Sequence, residues 1–263
     1  MTGHPKGAVV KVLRDIWLIF QDEVSQLVRH PKYLAIALIQ PVCYLAFFTP
    51  FLKAVMASEG LSTYGDAYQV YVPGLFVGMG LFSGLFAGYG LLAALRQGVI
   101  DRCRVTPISR VGLLMGRQLM HVGYLLWQAI VITVAATLFG LRVQPADLLL
   151  SYLMLGMMVL LSTSISYDIA LFVRNEQTLG TLTNSLAQPL SLLAGVLIPL
   201  AIAPLWVRNV AEWNPFAWAT NAMRALFKGQ IGEPVVWQGA LIVTAVATAA
   251  VLLSSRLFTR AVS

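Results

Sequence analysis

The chain alternates between long apolar runs and short polar interruptions. A membrane-spanning helix needs about 20 mainly apolar residues, because roughly 30 Å of hydrocarbon is crossed at about 1.5 Å per residue. Six runs meet that length: Tyr33–Lys53, Val70–Leu95, Gln118–Gly140, Leu148–Val173, Thr178–Ala203 and Val235–Ser255. Asp168 lies well inside the fourth, where an ionised side chain costs about 2.5–3.5 kcal/mol on insertion scales. The pattern predicts an all-α membrane protein with six transmembrane helices.

Two stretches show helical amphipathicity instead. In Val9–Val28, Val9, Leu13, Ile16, Phe20, Val24 and Leu27 share one face, opposite Lys11, Arg14, Gln21, Ser25 and Arg29. This predicts a helix lying in the cytoplasmic interface with Trp17 near the headgroups, or else a soluble helix packed on a partner. Pro31 ends it and turns the chain into the first span. The second stretch, "NPFAWATNAMRALFKGQ", sits in the long connection Pro204–Pro234 between spans five and six. Asn-Pro opens a helix there, and Gly229 closes it. Residues 1–32 are therefore expected to form a cytoplasmic tail with an interfacial helix, and residues 33–263 a single membrane domain.

Composition agrees. The 263 residues are 58% hydrophobic and 11% charged, against about 25% charged in soluble domains. Net charge is +7, which invites a nucleic-acid partner until the charges are mapped. Thirteen Lys and Arg fall on the side of the termini: five before residue 33, five from Arg96 to Arg117, then Arg174, Arg256 and Arg260. The other side holds five: Lys53, Arg142, Arg208, Arg224 and Lys228. By the positive-inside rule both termini and the arginine loop are cytoplasmic. The basic residues are spread along the inner interface, which argues for membrane lipids and against nucleic acid. Cys43 and Cys103 give no disulfide framework, and the first thirty residues lack a cleavable signal peptide.

The chemistry is sparse. There is no G-x-x-x-x-G-K-[ST] phosphate loop, no His-Glu-x-x-His, no Cys-x-x-Cys and no nucleophile elbow. No catalytic residue and no metal site is expected. In the fifth span Thr181, Asn184, Gln188 and Ser191 form one polar stripe, suited to a translocation path or to interhelical hydrogen bonds. His121 and Asp168 fall near the cytoplasmic ends of adjacent antiparallel spans. They suit a polar lock, with Asp168–Arg174 pairing or a proton relay as alternatives. Gly80, Gly84 and Gly88 recur every four residues in the second span, a spacing that admits a close helix neighbour or makes a thin, flexible wall.

Three segments carry a family resemblance: "RHPKYLAIALIQPVCYLAFF", "YVPGLFVGMGLFSGLFAGYGLLAALRQGVIDRCRVTPISRVGLLMGRQL" and "GVLIPLAIAPLWVRNVAEWNPFAWATNAMRALFKGQ". They resemble the type-2 ABC transporter (ABC-2) permeases, and within them the daunorubicin-resistance group of multidrug exporter membrane subunits. The resemblance implies a six-span permease in a bacterial cytoplasmic (inner) membrane. It would work as a dimer, homomeric rather than heteromeric, with two cytosolic ABC ATPase subunits that bind ATP and Mg. Residues 9–28 would be the family's connecting helix. Gln97, Gly98, Ile100, Arg102, Arg104, Pro107 and Ile108 would belong to the ATPase-coupling loop. Gln97 stands where the family often has an acid, which puts an ion pair with the ATPase there in question. Trp206, Asn214, Pro215 and Arg224 would belong to an extracellular re-entrant gate between spans five and six. The implied function is ATP-driven export of a hydrophobic drug, lipid or lipid-linked product, with a glycan or lipo-oligosaccharide as the alternative cargo. A proton-coupled carrier using His121 and Asp168 is the contrasting reading; it has no paired broken helices or inverted repeats behind it.

Overall fold

The computed structural model describes residues 5–29, 31–56, 64–97, 109–197 and 199–262. Regular structure among them is helical: α1 (Pro5–Val28), α2 (Pro31–Met56), α3 (Tyr64–Phe86), α4 (Gly88–Arg96), α5 (Arg110–Leu138), α6 (Pro145–Val173) and α7 (Glu176–Leu193). A 3-10 turn at Leu200–Ile202, α8 (Leu205–Ala211), α9 (Pro215–Phe227) and α10 (Pro234–Val262) complete the order. Among the described residues five segments are long and apolar enough to cross a membrane: Leu34–Phe51, Ala67–Arg96, Val111–Leu138, Pro145–Val173 and Pro234–Arg260. They match the first four expected runs and the last.

The expected fifth run, Thr178–Ala203, is not one helix. The helical part, α7, has 18 residues and carries Thr178, Thr181, Thr183, Asn184, Ser185 and Gln188. It ends at Ala194, and Gly195 follows with φ +65°, a left-handed turn that glycine adopts without a Cβ clash. Pro199 and Pro204 then keep the chain from resuming the helix before α8.

The core is the contact of α3 with α6, with α9 and α10 closing over them. The Gly80–Gly84–Gly88 repeat packs on α6 hydroxyls. A Cβ on Gly84 would lie 1.9 Å from Ser162 Oγ, and one on Gly88 2.6 Å from Ser166 Oγ. Ser162 donates to Gly80 O at 2.9 Å, a bond only a bare backbone could approach. Close packing is therefore the role of this repeat. The same serines manage a break: the second span bends at Ala87 between α3 and α4. There Gly88 N donates to Ser166 Oγ at 2.8 Å while Ser166 donates to Leu85 O. A side chain from a neighbouring helix thus replaces bonds that the bend removes.

The amphipathic α1 has a partner inside the chain. It packs along the first half of α5, where Gly112 and Gly116 leave room for Asp15 and Ile19. Leu13, Trp17, Leu18 and Val28 remain exposed, an apolar surface on the other side of the helix.

Candidate functional site

Of the expected coupling residues, Gln97 is described; Gly98, Ile100, Arg102, Arg104, Pro107 and Ile108 lie outside the described residues. Both flanks of that loop are anchored. Gln97 N closes α4 by donating to Ala93 O at 3.0 Å, and Arg96 beside it pairs with Glu176 at the start of α7 at 2.8 Å. On the other flank Ser109 caps α5: its Oγ accepts from Gly112 N at 3.1 Å. Ser109 N in turn donates to Asp15 Oδ2 of α1 at 2.9 Å, with Asp15 only 4% exposed. A second ion pair, Arg117 to Glu23 at 3.0 Å, holds α1 one helical stretch further along. The loop is thus strung between α7 on one side and α1 on the other.

At the far end of the molecule Asn214 does two things. Its Oδ1 accepts from Phe216 N at 3.0 Å, capping α9 ahead of Pro215 at the first helical position. Its Nδ2 donates to Leu190 O at 3.0 Å, tying that cap to the last turn of α7. Arg224 of α9 is 7% exposed and reaches two carbonyls: Nε to Val70 O of α3 at 3.0 Å, and Nη2 to Gly195 O at 2.6 Å. Nη1 is buried without a partner. Gly74 makes this clamp possible, since a Cβ there would fall 2.1 Å from Val196 O and 3.2 Å from Arg224 Nη2. α9 lies outside the five apolar segments, and burial pulls the Arg224 guanidinium down to about 10, leaving it charged at neutral pH. Asn214 and Arg224 are therefore brought together around the end of α7. Trp206 is not part of that cluster: it is exposed on α8, beside exposed Leu205 and near Trp213.

The fifth-span stripe is divided. α7 buries Leu179, Thr183, Ala187 and Ser191, one residue per turn. Thr181 and Asn184 are exposed and return their polar groups to the helix's own carbonyls, at Gln177 and Gly180. Gln188 and Ser191 face a crevice of about 630 Å³ whose other walls come from α2, α3 and α5. Its lining includes Gln40, Tyr44, Tyr71, Tyr124 and Gln128, none of which sequence reasoning singled out. The available signal was a lone glutamine inside an apolar run, Gln40 in the first and Gln128 in the third.

His121 and Asp168 share no hydrogen bond among the described residues. Asp168 Oδ1 is buried without a partner, and its carboxyl neighbours Ser254 of α10. Arg174 turns away, with Nε donating to Leu171 O at 3.3 Å. The polar links between α5 and α6 are instead Gln118 Nε2 to Ser164 Oγ at 3.0 Å and Tyr152 OH to Thr133 Oγ1 at 2.9 Å. Among the described residues no group of three His, Cys, Asp or Glu side chains is placed to hold a metal.

The geometry is that of a helical membrane body with a crevice, and the known proteins can now be compared with it. No curated protein matches the chain significantly. The profile of the ABC-2 type transporter matches residues 14–228, well over half of the sequence and everything from α1 to the end of α9. The chain belongs to the ABC-2 type transporter family, as a multi-pass membrane component of an ABC transporter that partners an ABC ATPase.

Proposed function

We propose that this chain is the permease subunit of an ATP-driven exporter of the daunorubicin-resistance group, resident in a bacterial inner membrane with both termini cytoplasmic. Its cargo is a hydrophobic drug, lipid or lipid-linked product taken from the cytoplasm or inner leaflet. ATP and Mg bind the separate ATPase subunits. α7 serves as the fifth of six spans, since 18 helical residues reach about 27 Å, close to the hydrocarbon thickness. α8 and α9 form the external re-entrant segment, residues 1–32 the tail and connecting helix, and residues 33–263 the six-span domain. The Thr181–Asn184 edge of α7, exposed on this chain, faces a second copy in a homodimer or the water of the pathway.

The observation that carries this reading is the double anchoring of the basic loop. Arg96–Glu176 ties one flank to α7, whose other end is held by Asn214 and Arg224 at the proposed gate. Asp15 ties the other flank to α1. A push on the loop by closing ATPase subunits reaches α7 and α1 directly. Differential affinity of cargo for inward- and outward-open states then completes a cycle.

Inside-out vesicles holding this chain and its candidate ATPase test the proposal. Cargo accumulation that requires ATP and survives collapse of the proton gradient is the expected outcome. Accumulation that persists without the ATPase and vanishes with the gradient refutes it.

A further inference from the structure

Resting on the permease reading, we propose that the α2–α3–α5–α7 crevice binds an uncharged, aromatic amphiphile of drug size, oriented by the Tyr71 hydroxyl and the Gln128 carbonyl oxygen.

Size comes first. About 630 Å³ falls within the range of pockets that enclose drug-sized molecules, about 300–1,000 Å³. Charge comes next. The lining holds no Asp, Glu, Lys, Arg or His; its polar groups are the amides of three glutamines, tyrosine hydroxyls and serines. An ion brought from water into such walls finds no counter-charge, so an ionised headgroup is penalised. A cation is disfavoured further, because the nearby Arg224 guanidinium is bonded to the wall residue Gly195 from behind.

Orientation rests on two atoms. Tyr71 is 1% exposed, and its hydroxyl is buried with no hydrogen-bond partner. Its ring is fixed by stacking on Phe48, with centroids 4.8 Å apart. A buried polar atom left unpaired in the empty site is satisfied when a ligand supplies the partner. Gln128 is 5% exposed, and its Nε2 is committed to Ala37 O at 3.1 Å and Tyr124 OH at 3.2 Å. Those bonds fix the amide, and its carbonyl oxygen takes no hydrogen bond among the described residues. One wall therefore offers a hydroxyl and another an acceptor, between the aromatic faces of Phe82, Phe86 and Tyr44.

The purified full chain in lipid nanodiscs tests this without any ATPase. Three aromatic probes are titrated: Nile red (uncharged), ethidium (cationic) and anilinonaphthalene sulfonate (anionic). Saturable binding is read as the rise in Tm with probe concentration. Nile red is expected to bind tightest. Tyr71→Phe and Gln128→Leu are each expected to weaken it by about threefold to tenfold, the worth of one hydrogen bond. Tyr71→Phe should also raise the Tm of the empty protein, because it removes the orphaned hydroxyl while keeping the ring on Phe48. A variant that is well folded yet binds Nile red as the parent does overturns the proposal. So does equal or tighter binding of either charged probe. The permease reading is judged separately by the ATP-dependent vesicle assay. Selective binding without ATP-driven movement sinks that reading and leaves the site; ATP-driven movement of an ionised cargo with both variants silent does the reverse.

Discussion

Replacing glycine by alanine at two positions of the second span should have opposite effects. At Gly84 the new Cβ would fall 1.9 Å from Ser162 Oγ, 2.6 Å from Ser162 Cβ and 3.2 Å from Thr163 N. The first contact is with a serine that cannot rotate away without losing its bond to Gly80 O at 2.9 Å. The third is backbone. Relief therefore requires α3 and α6 to separate, and overpacking of this kind costs about 1–3 kcal/mol. At Gly90 a Cβ would meet nothing within 4 Å, so only helix propensity acts, and it favours alanine by about 0.8–1 kcal/mol. Gly84→Ala should lower the unfolding midpoint in SDS titration, and Gly90→Ala should leave or raise it.

A second variant isolates the contact. Ser162→Gly removes both offending atoms, so Gly84→Ala in that background should regain at least half of its loss. Ser162→Gly alone forfeits the bond to Gly80 O, worth about 0.6–2 kcal/mol between membrane helices, and adds a glycine penalty within α6. The cycle should show a coupling of about 1 kcal/mol or more, in the sense that the second change relieves the first. Additive losses, or a Gly84→Ala protein as stable as Gly90→Ala, would refute the claim that α3 and α6 meet through this glycine.

Arg224→Met should cost less unfolding stability than Arg224→Ala in the same titration. Both orphan the carbonyls of Val70 and Gly195, but methionine fills the volume, and both remove a buried, incompletely bonded cation. The lowered Arg224 pKa makes the folded state less willing than the unfolded one to hold the proton, so its contribution to stability rises only between about pH 10 and the unfolded value. Unfolding midpoints of parent minus Arg224→Met should accordingly be flat from pH 6 to 9, and a slope there would contradict a charged clamp. Asp15→Ala should leave Ser109 N without its acceptor and cost about 1–3 kcal/mol, read as increased proteolysis of α1 with the rest of the fold retained.

The apolar runs made most of this architecture readable, because a span must satisfy its own backbone and declares itself over twenty consecutive residues. The start of α9 was equally readable: Asn214, Pro215 and the closing Gly229 with φ +75° are local signals, and their roles are local. Thr178–Ala203 misled because its leucines and alanines average to a span while Gly195, Pro199 and Pro204 divide it. The break at Ala87 could not be read at all, since what tolerates it is Ser166, seventy-nine positions away. The crevice failed to show for the same reason. Tyr71 and Gln128 look like ordinary core residues until two other helices turn their polar atoms into an unfilled pair. Asn184, Gln188 and Ser191 were found as one stripe, but a stripe drawn on a helical wheel does not say which edge the neighbours cover.

How these parts are held bears on which of them yields. α3 and α6 meet through glycine against serine with their hydroxyls bonded across the gap, so separating them loses packing and hydrogen bonds together. α7 has no such interface: one small or apolar residue per turn faces inward, and most of its other positions are exposed. Its firmest ties are at its ends, Glu176 to Arg96 beside the basic loop and the Leu190 and Gly195 carbonyls to Asn214 and Arg224. The first is half-exposed on both sides and worth no more than about 1 kcal/mol. The second pair is buried and costs more to break. Elements open where buried contacts are fewest. Displacement of α7 therefore begins at its loop end and pivots about the end held by Arg224, and the crevice wall formed by Gln188 and Ser191 lies next to that pivot.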